Sequence, residues 1–245
     1  MKAWGITDIG LVRKENQDAY MIREAASSGH MICVVCDGMG GAAGGKLASQ
    51  LAVETFTAEL ERILDRDMTP EQLREASSYA VSKANDVIRE TAKKTEGYQS
   101  MGTTLVSAVS YDGGVVITNV GDSRAYHISK HHITRVTKDH SLVERMVDRG
   151  DITAEEARRH PSRNLITRAL GPDADAQCDG YICPMEAGEY LLLCTDGLVN
   201  TVTDQEMLHE ILHRASPEDC LAHLLEISRS QGAPDNVTAV LMRNL

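Results

Sequence analysis

The stretch of sequence that decides the fold is MICVVCDG, at residues 31–38. A continuous apolar run of this length that ends in Asp-Gly predicts a buried strand with Asp37 at its end. Cys33 and Cys36 are three residues apart, and positions three apart on a strand point to opposite faces. Two thiols that face apart cannot share a zinc ion, so we expect both cysteines to be core residues.

Eight further apolar stretches, bounded by turn residues, predict strands elsewhere in the chain. They are Lys2–Thr7, Thr103–Ser110, Val115–Val120, Arg124–Ser129, Ile133–Val136, Gln177–Ile182, Tyr190–Cys194 and Val237–Met242.

The predicted helices come in consecutive pairs between blocks of strands. The first pair covers 47–64 and 70–95, and the second covers 204–215 and 217–231. A capping-box pattern occurs at Thr69, Thr153 and Thr203. Alternating strands and helices would predict a parallel sheet, whereas blocks predict antiparallel sheets with helices on their outer faces. We therefore predict an α+β fold, a four-layer α-β-β-α sandwich with two antiparallel sheets packed face to face and helical pairs outside.

The net charge, the apolar runs and the cysteines indicate the class of partner and the compartment of the protein. A formal net charge of −11 argues against nucleic acid and against an anionic membrane surface, because both favour Lys and Arg. The N-terminus lacks the apolar segment of a signal peptide, and no apolar run approaches the roughly 20 residues of a membrane span. The six cysteines are scattered, so we expect reduced thiols, a cytoplasmic protein and one domain over residues 1–245.

Five acidic residues stand at similar places relative to the predicted strands. Asp37 and Asp196 each end an apolar run and precede a glycine, which predicts a tight turn. Asp122 follows a strand, Asp235 precedes the last strand, and Asp18 lies in the segment ENQD. A single Asp-Gly favours ordinary turn chemistry. Gathered carboxylates would raise each other's pKa unless a cation neutralised them, so the recurrence predicts a site for Mg²⁺ or Mn²⁺.

Eight short segments follow one another in a specific order. They are RKENQD at 13–18, DGMGG at 37–41, GTT at 102–104, GDSR at 121–124, DHSL at 139–142, ITRALG at 166–171, TDGL at 195–198 and DNVT at 235–238. Together they resemble the metal-dependent protein phosphatases of the protein phosphatase 2C type, in their bacterial single-domain form, over about residues 7–240. The resemblance implies hydrolysis of phosphoserine and phosphothreonine in proteins.

The resemblance also implies roles for the first Asp-Gly and its partners. Asp37 is similar to the carboxylate that bridges two metals, and Gly38 to the residue whose carbonyl binds metal. Asp196 and Asp235 are similar to the remaining direct ligands of the first metal. The implied cofactors are two Mn²⁺ or Mg²⁺ ions per active site. Two such ions about 3.5–4 Å apart would acidify a bridging water, whose hydroxide attacks phosphorus directly, with Asp37 and Asp196 as catalytic carboxylates.

Further roles follow from the same resemblance. Asp18 is similar to the residue that holds water on the second metal, and Asp122, with Asp196, to a weaker third metal site of bacterial members. Arg13 is similar to the arginine that binds the substrate phosphate, which suits the bidentate guanidinium. Residues 137–171 resemble a mobile flap beside the site.

The chain departs from the family pattern where a general acid is expected. Eukaryotic relatives carry a histidine at the position of Met39, and many bacterial relatives carry one at the position of Ala42. We therefore assign no protein general acid. A metal-bound water is the default donor, with His140 or His160 of the flap region as alternatives.

The implied partners are phosphorylated proteins, the substrates of a serine/threonine protein kinase, acted on by a monomer. An alternative is a metal-binding but inactive module that only recognises phosphoproteins. A remote alternative is a zinc peptidase, because HEILH at 209–213 matches HExxH on a predicted helix, although a third ligand at the metzincin spacing is missing. GGAAGGK at 40–46 fits part of a P-loop, but Leu47 replaces the required Ser or Thr.

Overall fold

The computed structural model of the chain describes residues 1–41, 44–94 and 96–245. Its strands are β1 (Lys2–Asp8), β2 (Asp18–Glu24), β3 (Met31–Met39), β4 (Gly102–Thr103), β5 (Leu105–Tyr111), β6 (Gly114–Val120), β7 (Arg124–Ile128), β8 (Ile133–Arg135), β9 (Asp179–Pro184), β10 (Tyr190–Cys194) and β11 (Val237–Arg243). Its helices are α1 (Gly44–Ile63), α2 (Pro70–Lys94), α3 (Leu142–Arg149), α4 (Ala154–Arg159), α5 (Asp196–Val199), α6 (Asp204–His213) and α7 (Pro217–Ser230).

The strands form two antiparallel sheets. One has the order β1-β11-β10-β7-β8, and the other has the order β2-β3-β5-β6-β9 with β4 added on β3. The inner faces share one apolar core, in which Val35 and Val106 of one sheet meet Leu193 and Val240 of the other. Alternate residues of each strand face this core, as the period of a strand requires.

Helices cover both outer faces. α1 and α2 bury Phe56 and Leu73 against the sheet that contains β3. α6 and α7 bury Met207 and Leu224 against the sheet that contains β11. The predicted four-layer α-β-β-α arrangement is therefore confirmed. Among the described residues, we find no helix with the length and apolar character to cross a membrane.

The two cysteines of β3 face apart, as predicted. Cys33 lies in the core between the sheets, and Cys36 lies in the core under α1. All six cysteines are free. Burial raises the pKa of Cys33 and Cys36, so both thiols stay protonated in the core.

The capping patterns were reliable guides to helix starts. Thr153 and Thr203 each form a complete capping box, with Glu156 and Glu206 respectively. Other boundaries differ by a few residues: α1 starts earlier than predicted, and α6 ends earlier. The predicted end of the second helix, residue 95, lies outside the described residues, as does residue 42.

Two differences from the predicted strands matter for the site. β2, which was not predicted, begins at Asp18 and pairs along its whole length with β3. β3 continues past Asp37, because Gly38 and Met39 pair with Thr103 and Gly102 of β4. Asp37 therefore lies within a strand, held on both sides, rather than at the end of one.

Candidate metal centre

Aspartates from both sheets meet at one end of the sandwich. The register of β2 and β3 places Asp18 directly opposite Asp37, so both side chains lie on the same face of the sheet. Asp196 follows β10, Asp235 precedes β11, and these two strands are neighbours. Asp122 follows β6, one residue beyond Gly121. The carboxylates of the other four all act to raise the pKa of Asp37, so it is the electrostatic centre of the cluster.

Two glycines let the main chains approach closely around this cluster. A Cβ at Gly38 would overlap the carbonyl oxygen of Gly45, and a Cβ at Gly197 would overlap that of Asn236. Neither glycine has a positive φ; Gly38 lies in β3 and Gly197 in α5. The predicted tight turns after Asp37 and Asp196 are therefore wrong, and the glycines are needed for space rather than for backbone conformation.

Burial and mutual repulsion raise the pKa values of four of these carboxyl groups, those of Asp18, Asp37, Asp122 and Asp196. Desolvation is the largest cause for each, followed for Asp37 by the charge of Asp18. The pKa of Asp18 rises to about 7 and that of Asp122 to about 8. The pKa of Asp196 is also raised, although hydrogen bonds with Asp37 and Asn200 oppose the shift. So many buried carboxyl groups are poorly stabilised by the protein alone.

The donor set fits hydrated hard cations. Asp18 accepts a hydrogen bond from Thr195 Oγ1 at 2.9 Å through Oδ2, while its buried Oδ1 has no partner. Within the described ranges, no three His, Cys, Asp or Glu side chains are grouped so that they alone could hold an ion. Mg²⁺ and similar ions are commonly bound by one or two carboxylates together with water and carbonyl oxygens. The unpartnered oxygen of Asp18 is suited to such a water.

The cluster opens onto a cavity of about 440 Å³. Its walls bring together most of the residues singled out from the sequence, namely Arg13, Asp37, Gly38, Asp122, Asp196 and Asp235. Asp18 lies behind this wall. Asn164 and Ile166, from the predicted flap region, also line the cavity.

Arg13 stands at the cavity wall with its guanidinium bonded to Asp235, at 2.6 Å from Nη2 to Oδ2. This hydrogen bond is the main cause of a raised pKa for Arg13. The side chain is about half exposed, and an arginine has five N–H donors. Arg13 therefore has further donors to offer to an anion in the cavity.

Asn236 holds the loops around the cavity together, a role that the sequence alone did not reveal. Its Nδ2 donates to the carbonyl oxygens of Ile9 at 2.9 Å and Glu15 at 3.1 Å, and its Oδ1 accepts from the N–H of Gln17 at 2.9 Å. The segment between β1 and β2 is thus fastened to the residue next to Asp235. The position of Asn236 in the DNVT segment is the sequence signal that could have indicated this role.

Thr104 is a second support that was missed. Its Oγ1 accepts from the N–H of Asp37 at 2.9 Å and bonds Ser123 Oγ at 2.7 Å, while its own N–H donates to the Asp37 carbonyl oxygen at 2.9 Å. Thr104, which lies between β4 and β5, thereby fixes the main chain of Asp37.

Comparison with known proteins accords with this geometry. A family model described as protein phosphatase 2C matches residues 12–241. The serine/threonine phosphatase stp of Listeria monocytogenes is 33% identical over 236 residues, which cover 96% of this chain and 93% of the relative.

The chain belongs to the protein phosphatase 2C family.

Other members of the family support the same assignment. The protein phosphatase PhpP of Streptococcus pneumoniae is 32% identical, with 97% of this chain and 95% of the relative covered. The crystal structure of the serine/threonine phosphatase PstP/Ppp of Mycobacterium tuberculosis is 31% identical with a TM-score of 0.88, covering 99% of this chain and 98% of that one. Like them, this member of the protein phosphatase 2C family is a serine/threonine protein phosphatase, and the inactive-module alternative has no support.

The HEILH segment of this phosphatase does not form a peptidase site. Glu210 is buried and forms an ion pair with Arg214. The rings of His209 and His213 stack on each other with their centroids 4.6 Å apart, and His213 Nδ1 bonds the main chain of α6. The glutamate that would activate water is therefore engaged elsewhere.

His140, one of the alternative proton donors, is held by main-chain and side-chain partners. Its Nδ1 accepts from the Gly121 N–H at 3.0 Å, so the ring proton is on Nε2, which faces Asp179 Oδ2 at 3.1 Å. Burial lowers the pKa of His140. Its proton points to Asp179, and neither His140 nor His160 is among the described residues that line the cavity.

Proposed function

We propose that this phosphatase hydrolyses phosphoserine and phosphothreonine by direct attack of an activated water, with Mn²⁺ or Mg²⁺ held by the aspartate cluster. The observation that carries the proposal is the group of four aspartate carboxyl groups that line one cavity, with the buried Asp18 beside them, whose Oδ1 lacks a partner. When bound, such cations supply Lewis acidity, which lowers the pKa of water and neutralises charge on the phosphate.

Residues from four segments of the chain would hold two cations. Asp37 would bridge the pair, with the main-chain oxygen of Gly38 as a further ligand. Asp196 and Asp235 would hold the first cation directly. Asp18 would orient water on the second through its unpartnered Oδ1. These roles use the side chains in the positions that the strand register gives them.

Arg13 would orient the phosphate, because its guanidinium lies at the cavity wall and can donate two parallel hydrogen bonds. Asp122, with Asp196, would form a third and weaker cation site. Its position is fixed through Gly121, whose N–H and carbonyl oxygen both bond His140.

We further infer one catalytic domain over residues 1–245, with residues 137–171 as a mobile flap beside the site. Asn164 and Ile166 support this because they line the cavity from that segment. We infer that the substrates are products of a serine/threonine protein kinase, and that the enzyme is a cytoplasmic monomer.

The proposal is tested by phosphate release from a phosphothreonine peptide with Mn²⁺, with Mg²⁺ and with EDTA. Asp196→Asn should lower kcat/KM by at least about 100-fold, since even the outer-shell partners of metal ligands are worth about 10- to 100-fold. Titration calorimetry should show weaker Mn²⁺ binding by the same variant. Asp112→Asn, in the exposed turn between β5 and β6, is the matched control. Equal rates of phosphate release with Mn²⁺ and with EDTA would contradict the proposal.

A further inference from the structure

Three of the most exposed large apolar side chains of the described chain lie within two residues, along the sequence, of residues that line the cavity. Val12 is 67% exposed, Leu11 is 61% exposed and Leu165 is 55% exposed. Among the other described residues, only Leu245 is comparable, at 64%. Single exposed apolar residues need no explanation, but a concentration at one place marks an interaction site.

Their position in the chain ties these side chains to the catalytic cavity. Leu11 and Val12 immediately precede Arg13, which lines the cavity and is the proposed phosphate ligand. Leu165 lies between two other lining residues, on the segment proposed as the flap. We call Leu11, Val12 and Leu165 the apolar rim.

The part of the rim next to Arg13 is held in place by main-chain bonds. The Leu11 N–H donates to the Ala233 carbonyl oxygen at 2.9 Å, and the Gly10 N–H donates to Asp8 Oδ1 at 2.9 Å. Gly10 has a φ of 77°, a conformation that suits glycine. The two apolar side chains are thus presented by an ordered loop, so little conformational entropy remains to be lost when a partner binds.

The position of the cavity determines which part of a substrate lies near the apolar rim during the reaction. A phosphate bound at the aspartate cluster lies inside this cavity of about 440 Å³, so the peptide that carries it extends towards the mouth. The residues on either side of the phosphorylated one would then lie at the mouth, where the rim residues neighbour the lining residues in sequence. There an apolar neighbour loses contact with water, whereas a polar neighbour has no hydrogen-bonding partner in these three side chains.

We propose that the apolar rim selects phosphoprotein substrates in which an apolar residue directly flanks the phosphorylated serine or threonine. The proposal rests on the proposed function, since it concerns the substrate of the same cavity. Partial burial of one leucine against the rim corresponds to a preference of about tenfold in kcat/KM.

The test uses two phosphothreonine peptides of equal length and charge, one with Leu and the other with Ser on both sides of the phosphothreonine. The wild-type enzyme with Mn²⁺ should favour the Leu peptide by about tenfold in kcat/KM. The double variant Leu11→Ser with Val12→Ser, and separately Leu165→Ser, should bring this ratio towards one. Val87→Ser changes an exposed valine of α2 and should keep the wild-type ratio.

Each outcome decides the matter. A wild-type ratio near one, or an unchanged ratio in both rim variants, overturns the proposal. A rim variant that changes the elution volume in gel filtration but not the ratio would assign the rim to self-association and also overturn it. If neither peptide nor p-nitrophenyl phosphate is hydrolysed with Mn²⁺, the proposed function itself fails, and the rim proposal falls with it.

Discussion

The buried Asp18 carboxyl should make the metal-free phosphatase lose stability as the pH rises, and Asp18→Asn should remove that loss. The pKa of Asp18 rises from 3.8 to about 7 in the folded state, mainly through desolvation. Between these two values the folded protein binds more protons than the unfolded chain, so the free energy of unfolding falls as the pH increases. The loss is complete above the folded-state pKa, because the carboxylate is then charged in both states.

The size of the effect follows from the shift. Each pKa unit corresponds to about 1.4 kcal/mol, and most of the window lies between about pH 5 and pH 8, so Asp18 accounts for about 2–3 kcal/mol there. In a chain of this length that is about 5–10 °C in the midpoint of thermal unfolding. Asn keeps the shape of the side chain and cannot ionise, so Asp18→Asn should lack this part of the decline.

The assay is thermal and urea unfolding in EDTA across this pH range for the wild type, Asp18→Asn and the control Asp112→Asn. The difference between wild type and Asp18→Asn reports the Asp18 carboxyl together with its effect on the pKa of Asp37, because His140 is common to both proteins. Added Mn²⁺ should abolish the decline in the wild type, since binding favours the charged carboxylate. Parallel pH profiles for wild type and Asp18→Asn in EDTA would refute the reasoning.

Three further variants test separate contacts. Gly197→Ala should destabilise the fold by about 2–4 kcal/mol in urea unfolding, because its Cβ overlaps the Asn236 carbonyl oxygen and forces the two loops apart; an unchanged midpoint would contradict this. Arg13→Lys should lower kcat/KM by about 10- to 100-fold, mostly through KM, since an ammonium group cannot donate two parallel bonds to phosphate; a purely kcat effect would argue against phosphate binding. Glu210→Gln should leave phosphate release unchanged and cost about 1 kcal/mol through the lost pair with Arg214; a large fall in activity would contradict its separation from the site.

The sequence predicted the layers of the fold because they depend on local patterns. The run at 31–38, the paired helices and the capping boxes at Thr153 and Thr203 each act within a few residues. β2 was missed because its apolar run, Ala19–Ile22, is only four residues long and is flanked by Asp18, Arg23 and Glu24. Its pairing with β3 supplies the stability that its own pattern does not indicate.

The site was predicted in its residues but not in its supports. The motifs identified each aspartate, because each motif is a short run of neighbouring residues and can be read without the fold. The reason for Gly197 could not be read in the same way, because it depends on the approach of residue 236, far along the chain. Thr104 likewise acts through cross-strand contacts with Asp37. Side chains that act by long-range contact need the register, which only the folded chain provides.

Asn236 connects the two parts of substrate recognition argued above. Its amide fastens the loop that carries Leu11 and Val12 of the apolar rim, while its own N–H donates to Asp235 Oδ1 at 2.9 Å. A shift of this loop would therefore move Arg13 and Asp235 together, since these two are also bonded to each other. The position of the phosphate and the place where its flanking residues bind therefore both depend on this loop. For that reason a flanking residue that fits the rim should improve the alignment of the phosphate, and should raise kcat as well as lower KM.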